Sequence, residues 1–266
     1  MRVLITGAAG RIGGYLRSRL TRPERVLRLL DVAPLVAGPG EEVIEASVAD
    51  LEALTEASRD VDAVVHLAGI PSEAGWEEIS RTNIDGTYHV IEAARRAGVD
   101  RFVFASSNHA VGFLARNPTG GQAPDYAFPA PDTYYGVSKV AGEALAALYH
   151  HRYGMDTVCL RILSCRDRPD STRELATWLS PDDAGRLFEA AISAPSPGFR
   201  VIWGVSANTR AWFSMEEATA LGYHPSDDAE VYADELVAQE GEPNPTDPVH
   251  RLVGGPFTLD PFDADR

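Results

Sequence analysis

A doubly wound α/β fold on a parallel sheet, with a small C-terminal substrate-binding portion, is predicted by three features of the sequence. Short strand-like runs alternate with helical patterns through residue 162. Most of those runs are continuously apolar, as expected of parallel strands covered on both faces. The first run also feeds into a glycine-rich turn and a helix, Thr6-Gly7-Ala8-Ala9-Gly10-Arg11-Ile12-Gly13.

Taken in order, strands are expected at Val3–Thr6, Val26–Asp31, Glu42–Glu45, Ala63–Leu67, Phe102–Ser106 and Thr157–Ile162. Helices are expected near Ile12–Leu20, Leu51–Ala57, Trp76–Ala97 and Tyr135–Tyr153, the last two long enough to pair between subunits of a homo-oligomer. Asn117–Asp132, rich in Pro and Gly, reads as a long loop directly before Tyr135, and such loops inside domains usually carry function. After Ile162 the pattern changes to a loop (Leu163–Ser171), a helix at Pro181–Ser193 and a strand at Arg200–Trp203. Residues 1–162 therefore read as a dinucleotide-binding core. Residues 163–266 read as a substrate-side portion and tail, integrated with the core as one structural unit. From about Glu240 onward, with Glu242-Pro243-Asn244-Pro245 and Pro248, the tail is expected to wrap the surface without regular structure or to mediate a subunit contact.

Composition excludes several classes. The 266 residues are 44% hydrophobic, enough for a sizeable core. Lys and Arg number 24 against 39 Asp and Glu, a net charge of −15. That balance argues against nucleic acid or an anionic membrane as partner, because phosphates must be met by cations. No apolar run approaches the ~20 residues that span a bilayer. The start of the chain, Met1-Arg2 leading straight into a strand, does not resemble a secretory leader. Cys159 and Cys165 read as free thiols of a cytoplasmic protein. His150 and His151 are adjacent and face different ways, no metal-ligand spacing occurs, and no metal is expected.

Two constellations carry chemistry. In Gly7-x-x-Gly10-x-x-Gly13 one glycine permits the tight turn and one lets backbone approach a pyrophosphate. The third allows close helix–strand packing, so that the helix N-terminus, with Arg11 and Ile12, faces the anion. Asp31 ends the second strand, where a carboxylate can accept from ribose hydroxyls and repel a 2′-phosphate, so NAD is favoured over NADP. A strand-end turn residue is the alternative reading of Asp31. Tyr135 and Lys139 lie four residues apart, about one helical turn, and so share a face. An ammonium beside a phenol lowers the phenol's pKa and makes it a general acid/base.

With Leu67-Ala68-Gly69 after a strand, Asn83 and Ser107, these motifs resemble the extended short-chain dehydrogenase/reductase superfamily from Arg2 to about Gly204. The resemblance implies a Rossmann-type sheet, a nicotinamide cofactor and a Ser107–Tyr135–Lys139 site. Ser107 would orient the substrate oxygen, Tyr135 would move its proton, and Lys139 would hold the nicotinamide ribose. Leu67, Ala68, Gly69, Asn83 and Ile162 would belong to the cofactor site. Where the superfamily usually has an adenine-binding Asp, this chain has Ser47-Val48.

Phe104-Ala105-Ser106-Ser107-Asn108-His109, Arg161-Ile162-Leu163-Ser164-Cys165, Ala176-Thr177-Trp178-Leu179-Ser180 and Trp203-Gly204-Val205-Ser206-Ala207-Asn208 are more specific. Over nearly the whole chain they resemble the uronate dehydrogenase family. That resemblance implies NAD-dependent oxidation of the anomeric C1 of cyclic D-glucuronate or D-galacturonate to the aldaro-lactone, with Tyr135 as base. It places Arg173 on the sugar carboxylate by a bidentate guanidinium pairing. It places Asn108, His109 and Ser164 on hydroxyls and carboxylate. By its residues alone Arg173 is equally a surface arginine among Arg166, Asp167, Arg168 and Asp170. Pro71 stands where the family tends to have a serine, and Ser72 is the candidate substitute. A nucleotide-sugar epimerase or dehydratase using the same Ser–Tyr–Lys set is the alternative.

Overall fold

The first strand, β1 (Arg2–Thr6), is buried from Val3 to Thr6. It is an interior strand, third of seven, of the main sheet in a computed structural model that describes residues 1–259. In chain order come α1 (Arg11–Leu20), β2 (Val26–Asp31), β3 (Glu41–Glu45), α2 (Leu51–Ala57) and β4 (Ala63–His66). Next are α3 (Trp76–Ile79), α4 (Gly86–Arg96), β5 (Arg101–Ser107), α5 (Tyr134–Tyr153) and β6 (Asp156–Ile162). The sheet order is β3-β2-β1-β4-β5-β6 followed by a later strand, every pair parallel.

Successive side chains of a strand point to opposite faces, and here both faces are covered. Val3, Ile5, Val103 and Leu160 pack toward Leu16 and Leu20 of α1, whereas Leu4, Phe102, Phe104 and Cys159 pack toward Leu54, Val90, Ile91 and Ala146 of α2, α4 and α5. This double burial is why the strand runs are continuously apolar. Thr133 caps α5 by accepting from the Gly136 N–H at 3.0 Å, and Gly154, in the left-handed region at φ 75°, ends it.

Beyond β6 lie β7 (Ser164–Cys165), α6 (Glu174–Thr177), β8 (Trp178–Leu179), α7 (Pro181–Ser193) and β9 (Phe199–Gly204), then α8 (Glu216–Leu221), α9 (Ala233–Glu240) and α10 (Pro248–Arg251). β9 pairs with β6 and closes the main sheet, so the C-terminal portion shares the core's sheet; β7 and β8 form a small parallel pair. Among the described residues no helix is long and apolar enough to cross a membrane.

Two sequence expectations are corrected. The helix expected over Trp76–Ala97 is α3, a π-helical stretch at Ser80–Asp85, and α4. The wider turn seats Asn83 in the interior, where it bonds the Ile70 backbone and Ser138. The tail is likewise not irregular surface wrapping. After α10 it turns inward, burying Val253, Gly254 and Gly255, because Val253 joins an apolar cluster with Val111, Trp203, Trp212 and Phe213. That tail reading also covered residues 260–266, which lie outside the described residues.

Candidate active site and cofactor groove

Strand order reverses between β1 and β4, and the crevice at their C-terminal ends is where open α/β sheets bind ligands. A cavity of about 1120 Å³ occupies it, running from the glycine turn to the inward-turned tail.

The cofactor end is built by backbone proximity. Gly7 has φ 73°, and a Cβ there would stand 2.6 Å from the Ala68 nitrogen; one on Gly13 would stand 2.5 Å from the Ala8 carbonyl oxygen. Glycine is therefore required for the turn to touch the Leu67-Ala68 segment and for α1 to pack on the turn. Gly10 has an ordinary φ of −70° as N-cap of α1, which has no side-chain cap and no acid in its first turn. Its first N–H groups are thus available to an anion. Asp31 accepts from the Ala9 and Ala33 N–H groups, each at 2.9 Å, so it serves both as a turn residue and as a carboxylate fixed at the groove. Arg11, Ile12, Ser47, Val48, Leu67, Ala68, Gly69 and Ile162 also line the cavity. Ser47 Oγ accepts from the Ala49 N–H at 3.1 Å and retains its own proton to donate; the Val48 carbonyl is taken by His89. A dinucleotide fits this donor set: an uncapped helix start over a glycine cradle, with an acid a strand-width away.

Asn83 and Ser72 are not in the cavity wall. Asn83 instead holds the Ile70 segment by accepting from its N–H at 2.7 Å and donating to its C=O at 3.0 Å. Ser72 is exposed, and Pro71 stands in the wall, because the chain turns outward after Ile70.

The structure brings Ser107, at the end of β5, together with Tyr135 and Lys139, one turn apart in α5. Lys139 Nζ donates to the Ala105 carbonyl at 2.9 Å and lies 5.3 Å from the Tyr135 ring centre. The expectation that the ammonium leaves the phenol with a lowered pKa is corrected. Burial dominates and pushes Tyr135 up to about 12, with Ser107 pulling it down and Asp132 adding to the rise. Burial also lowers Lys139 to about 8, partly offset by Glu143 one turn further on. Both groups are taken out of water together, so each favours its neutral form.

At the substrate end, Arg173 is held by three neutral acceptors: the carbonyls of Val249 (3.2 Å) and Val253 (2.6 Å), and Thr177 Oγ1 (3.1 Å). Among the described residues no carboxylate forms an ion pair with it. Burial lowers its pKa to about 10, Glu174 and Asp132 opposing this, so it stays charged near neutrality. Asn108 donates to the same Val253 carbonyl at 2.8 Å, and Ser164 shares a 3.1 Å hydrogen bond with Thr177. His109 meets Asp132 at 2.8 Å and stacks on Phe257 at 4.2 Å between ring centres.

Four contributors went unread in the sequence. Glu73 accepts from the Tyr134 and Tyr135 N–H groups at the start of α5. Glu143 binds Ser106 and Arg161, and its i+4 spacing from Lys139 was a usable signal. Asp132 and the Val253–Phe257 segment left none. Among the described residues no group of three His, Cys, Asp or Glu side chains is placed to hold a metal ion.

Known proteins resemble this chain in sequence and in fold. Residues 3–165 match the model of the NAD dependent epimerase/dehydratase family. Uronate dehydrogenase of Pseudomonas putida is 42% identical over 97% of this chain and 96% of its own length. A crystal structure of glucuronic acid dehydrogenase from Chromohalobacter salexigens superposes with a TM-score of 0.92 at 39% identity, covering 99% of this chain and 98% of its own. A mutant of uronate dehydrogenase from Agrobacterium tumefaciens, complexed with NAD, gives 0.91 at 40% identity, covering 98% of each chain. This chain belongs to the NAD dependent epimerase/dehydratase family, in its uronate dehydrogenase group.

Proposed function

We propose that this protein is an NAD-dependent uronate dehydrogenase that oxidises the anomeric C1 of a cyclic uronate to the aldaro-lactone. One observation carries the reading: Arg173, a partly buried guanidinium with no carboxylate partner among the described residues, opens on the cavity that Tyr135 also lines. A buried cation left with neutral acceptors is an expensive arrangement that a substrate carboxylate relieves.

The glycine turn and α1 hold the pyrophosphate, and Asp31 accepts from the adenosine ribose and disfavours a 2′-phosphate. Bound there, NAD+ supplies the hydride-accepting nicotinamide and a positive charge beside the phenol. Arg173 takes the sugar carboxylate, while Asn108, His109 and Ser164 meet hydroxyls, which sets C1 near Ser107 and Tyr135. Ser107 orients the C1 hydroxyl, and Tyr135 takes its proton. Lys139, anchored on the Ala105 carbonyl, stabilises the phenolate as it forms. A homo-oligomer is supported by the outer faces of α4 and α5, which leave Tyr88, Leu148 and Tyr153 exposed.

Absorbance at the NADH band, with purified protein, NAD+ and a panel of uronates and neutral sugars, tests this. NADH formed on uronates, with a lactone as first product by NMR, is the expected result. NAD bound without net NADH on any sugar acid refutes it.

A further inference from the structure

Resting on the uronate reading, the geometry assigns Asp132 as a positioning residue. It fixes the proton of His109 on Nδ1, so that Nε2 faces the cavity as a hydrogen-bond acceptor for a sugar hydroxyl. Asp132 lies at the end of the long loop, its side chain fully buried, with Oδ2 2.8 Å from His109 Nδ1. A carboxylate only accepts, so the facing nitrogen carries the proton, and in a neutral imidazole the other nitrogen is then a lone pair. Among the described residues Nε2 has no hydrogen-bond partner, and His109 lines the cavity.

The surroundings are shaped around this pair. Asp132 fills the space where a Cβ on Gly112 or Gly254 would otherwise stand, and either Cβ would overlap its carboxylate. Those two glycines are joined by the Gly254 N–H donating to the Gly112 carbonyl at 2.8 Å, so the tail closes over Asp132. Phe257, three residues on, stacks on the His109 ring at an interplanar angle of 23°. Tyr135 meets the same ring edge-on at 5.7 Å. With Nδ1 bonded and the ring packed by two aromatics, His109 has one rotamer and one tautomer available. A neutral sugar hydroxyl at Nε2 must then donate, which makes this position selective for hydroxyl geometry.

Two measurements test the assignment. Long-range 15N NMR of the wild-type protein near pH 8 should show His109 protonated on Nδ1 alone; protonation on Nε2, or on both nitrogens, overturns it. Asp132→Asn can present its amide N–H to Nδ1 and so reverse the tautomer. It should raise KM for the uronate on the order of 10-fold, with kcat and KM for NAD+ within about 3-fold. An unchanged uronate KM in a variant whose NMR spectrum shows the reversed tautomer overturns the role. If Asp132→Asn does not fold, the wild-type tautomer decides alone. Wild-type protein that reduces no NAD+ with any uronate removes the functional reading, whereas the tautomer result is read without substrate.

Discussion

The two ends of the cavity are built in opposite ways. The cofactor end is local: the end of a strand, a turn of three glycines and a helix start, all within Thr6–Gly13, with Asp31 one strand away. The substrate end is assembled from afar. Asn108 reaches the Val253 carbonyl across 145 residues of chain, Arg173 reaches the same atom across 80, and His109 meets Asp132 and Phe257. The first kind of site is conferred by backbone shape, the second by tertiary closure of a tail. Changes at the cofactor end should therefore act through geometry, and changes at the substrate end through charge and hydrogen bonding.

The largest expected effect falls where the two ends meet. Tyr135→Phe should lower kcat at least ~10²-fold, the scale of a lost general base, while calorimetric NAD binding stays near wild type. Wild-type turnover by that variant would remove Tyr135 from the chemistry.

At the cofactor end, Gly7→Ala forces Ala into positive φ and places its Cβ 2.6 Å from the Ala68 nitrogen. A loss of about 2–4 kcal/mol in stability and at least ~10-fold in NAD affinity is expected from strain and overlap together. Gly14 is the control, since a Cβ there meets nothing within 4 Å on an exposed helical position. Gly14→Ala should be neutral or stabilising by up to ~1 kcal/mol in a denaturant melt. Equal behaviour of the two variants would contradict the backbone account.

Where the two ends meet, a pH signature is also expected. Lys139 has a folded pKa of about 8 against an ordinary value of 10.5. Between those values the unfolded chain binds more protons than the folded one, so this group's contribution to stability rises with pH across that window. Below pH 8 the folded protein bears a cost on the order of 3 kcal/mol at this position. Lys139→Met, though inactive, should melt higher than wild type at pH 7, with the gap narrowing from pH 8 to 10.5. A gap constant in pH would assign it to packing alone.

Much of the sheet and the cofactor end was legible because both are written in short-range pattern. The strand at Val26–Asp31 and the helices at Leu51–Ala57 and Pro181–Ser193 agree to the residue, and most other main-sheet strands and helices differ by one residue at an end. The π-helical stretch was not legible, because one wider turn barely disturbs apolar periodicity yet redirects Asn83. The rise of Tyr135 was not legible either: a four-residue spacing reports that Lys139 is near, not how far both are removed from water. Asp132 and Phe257 sit in an irregular loop and a tail, and only closure of that tail brings them to His109. The residues that spacing alone could not settle, Arg173 above all, gain their meaning from partners contributed by the tail.

The most direct test is the ratio of kcat/KM for glucuronate over glucose, measured by NADH formation in wild type and in Arg173→Met. Removing one partner of a buried charge pair costs about 2–5 kcal/mol, so the wild-type ratio should be on the order of 10² or more and collapse toward unity in the variant. A ratio left unchanged by Arg173→Met, or a wild type that oxidises glucose as well as glucuronate, would contradict the account.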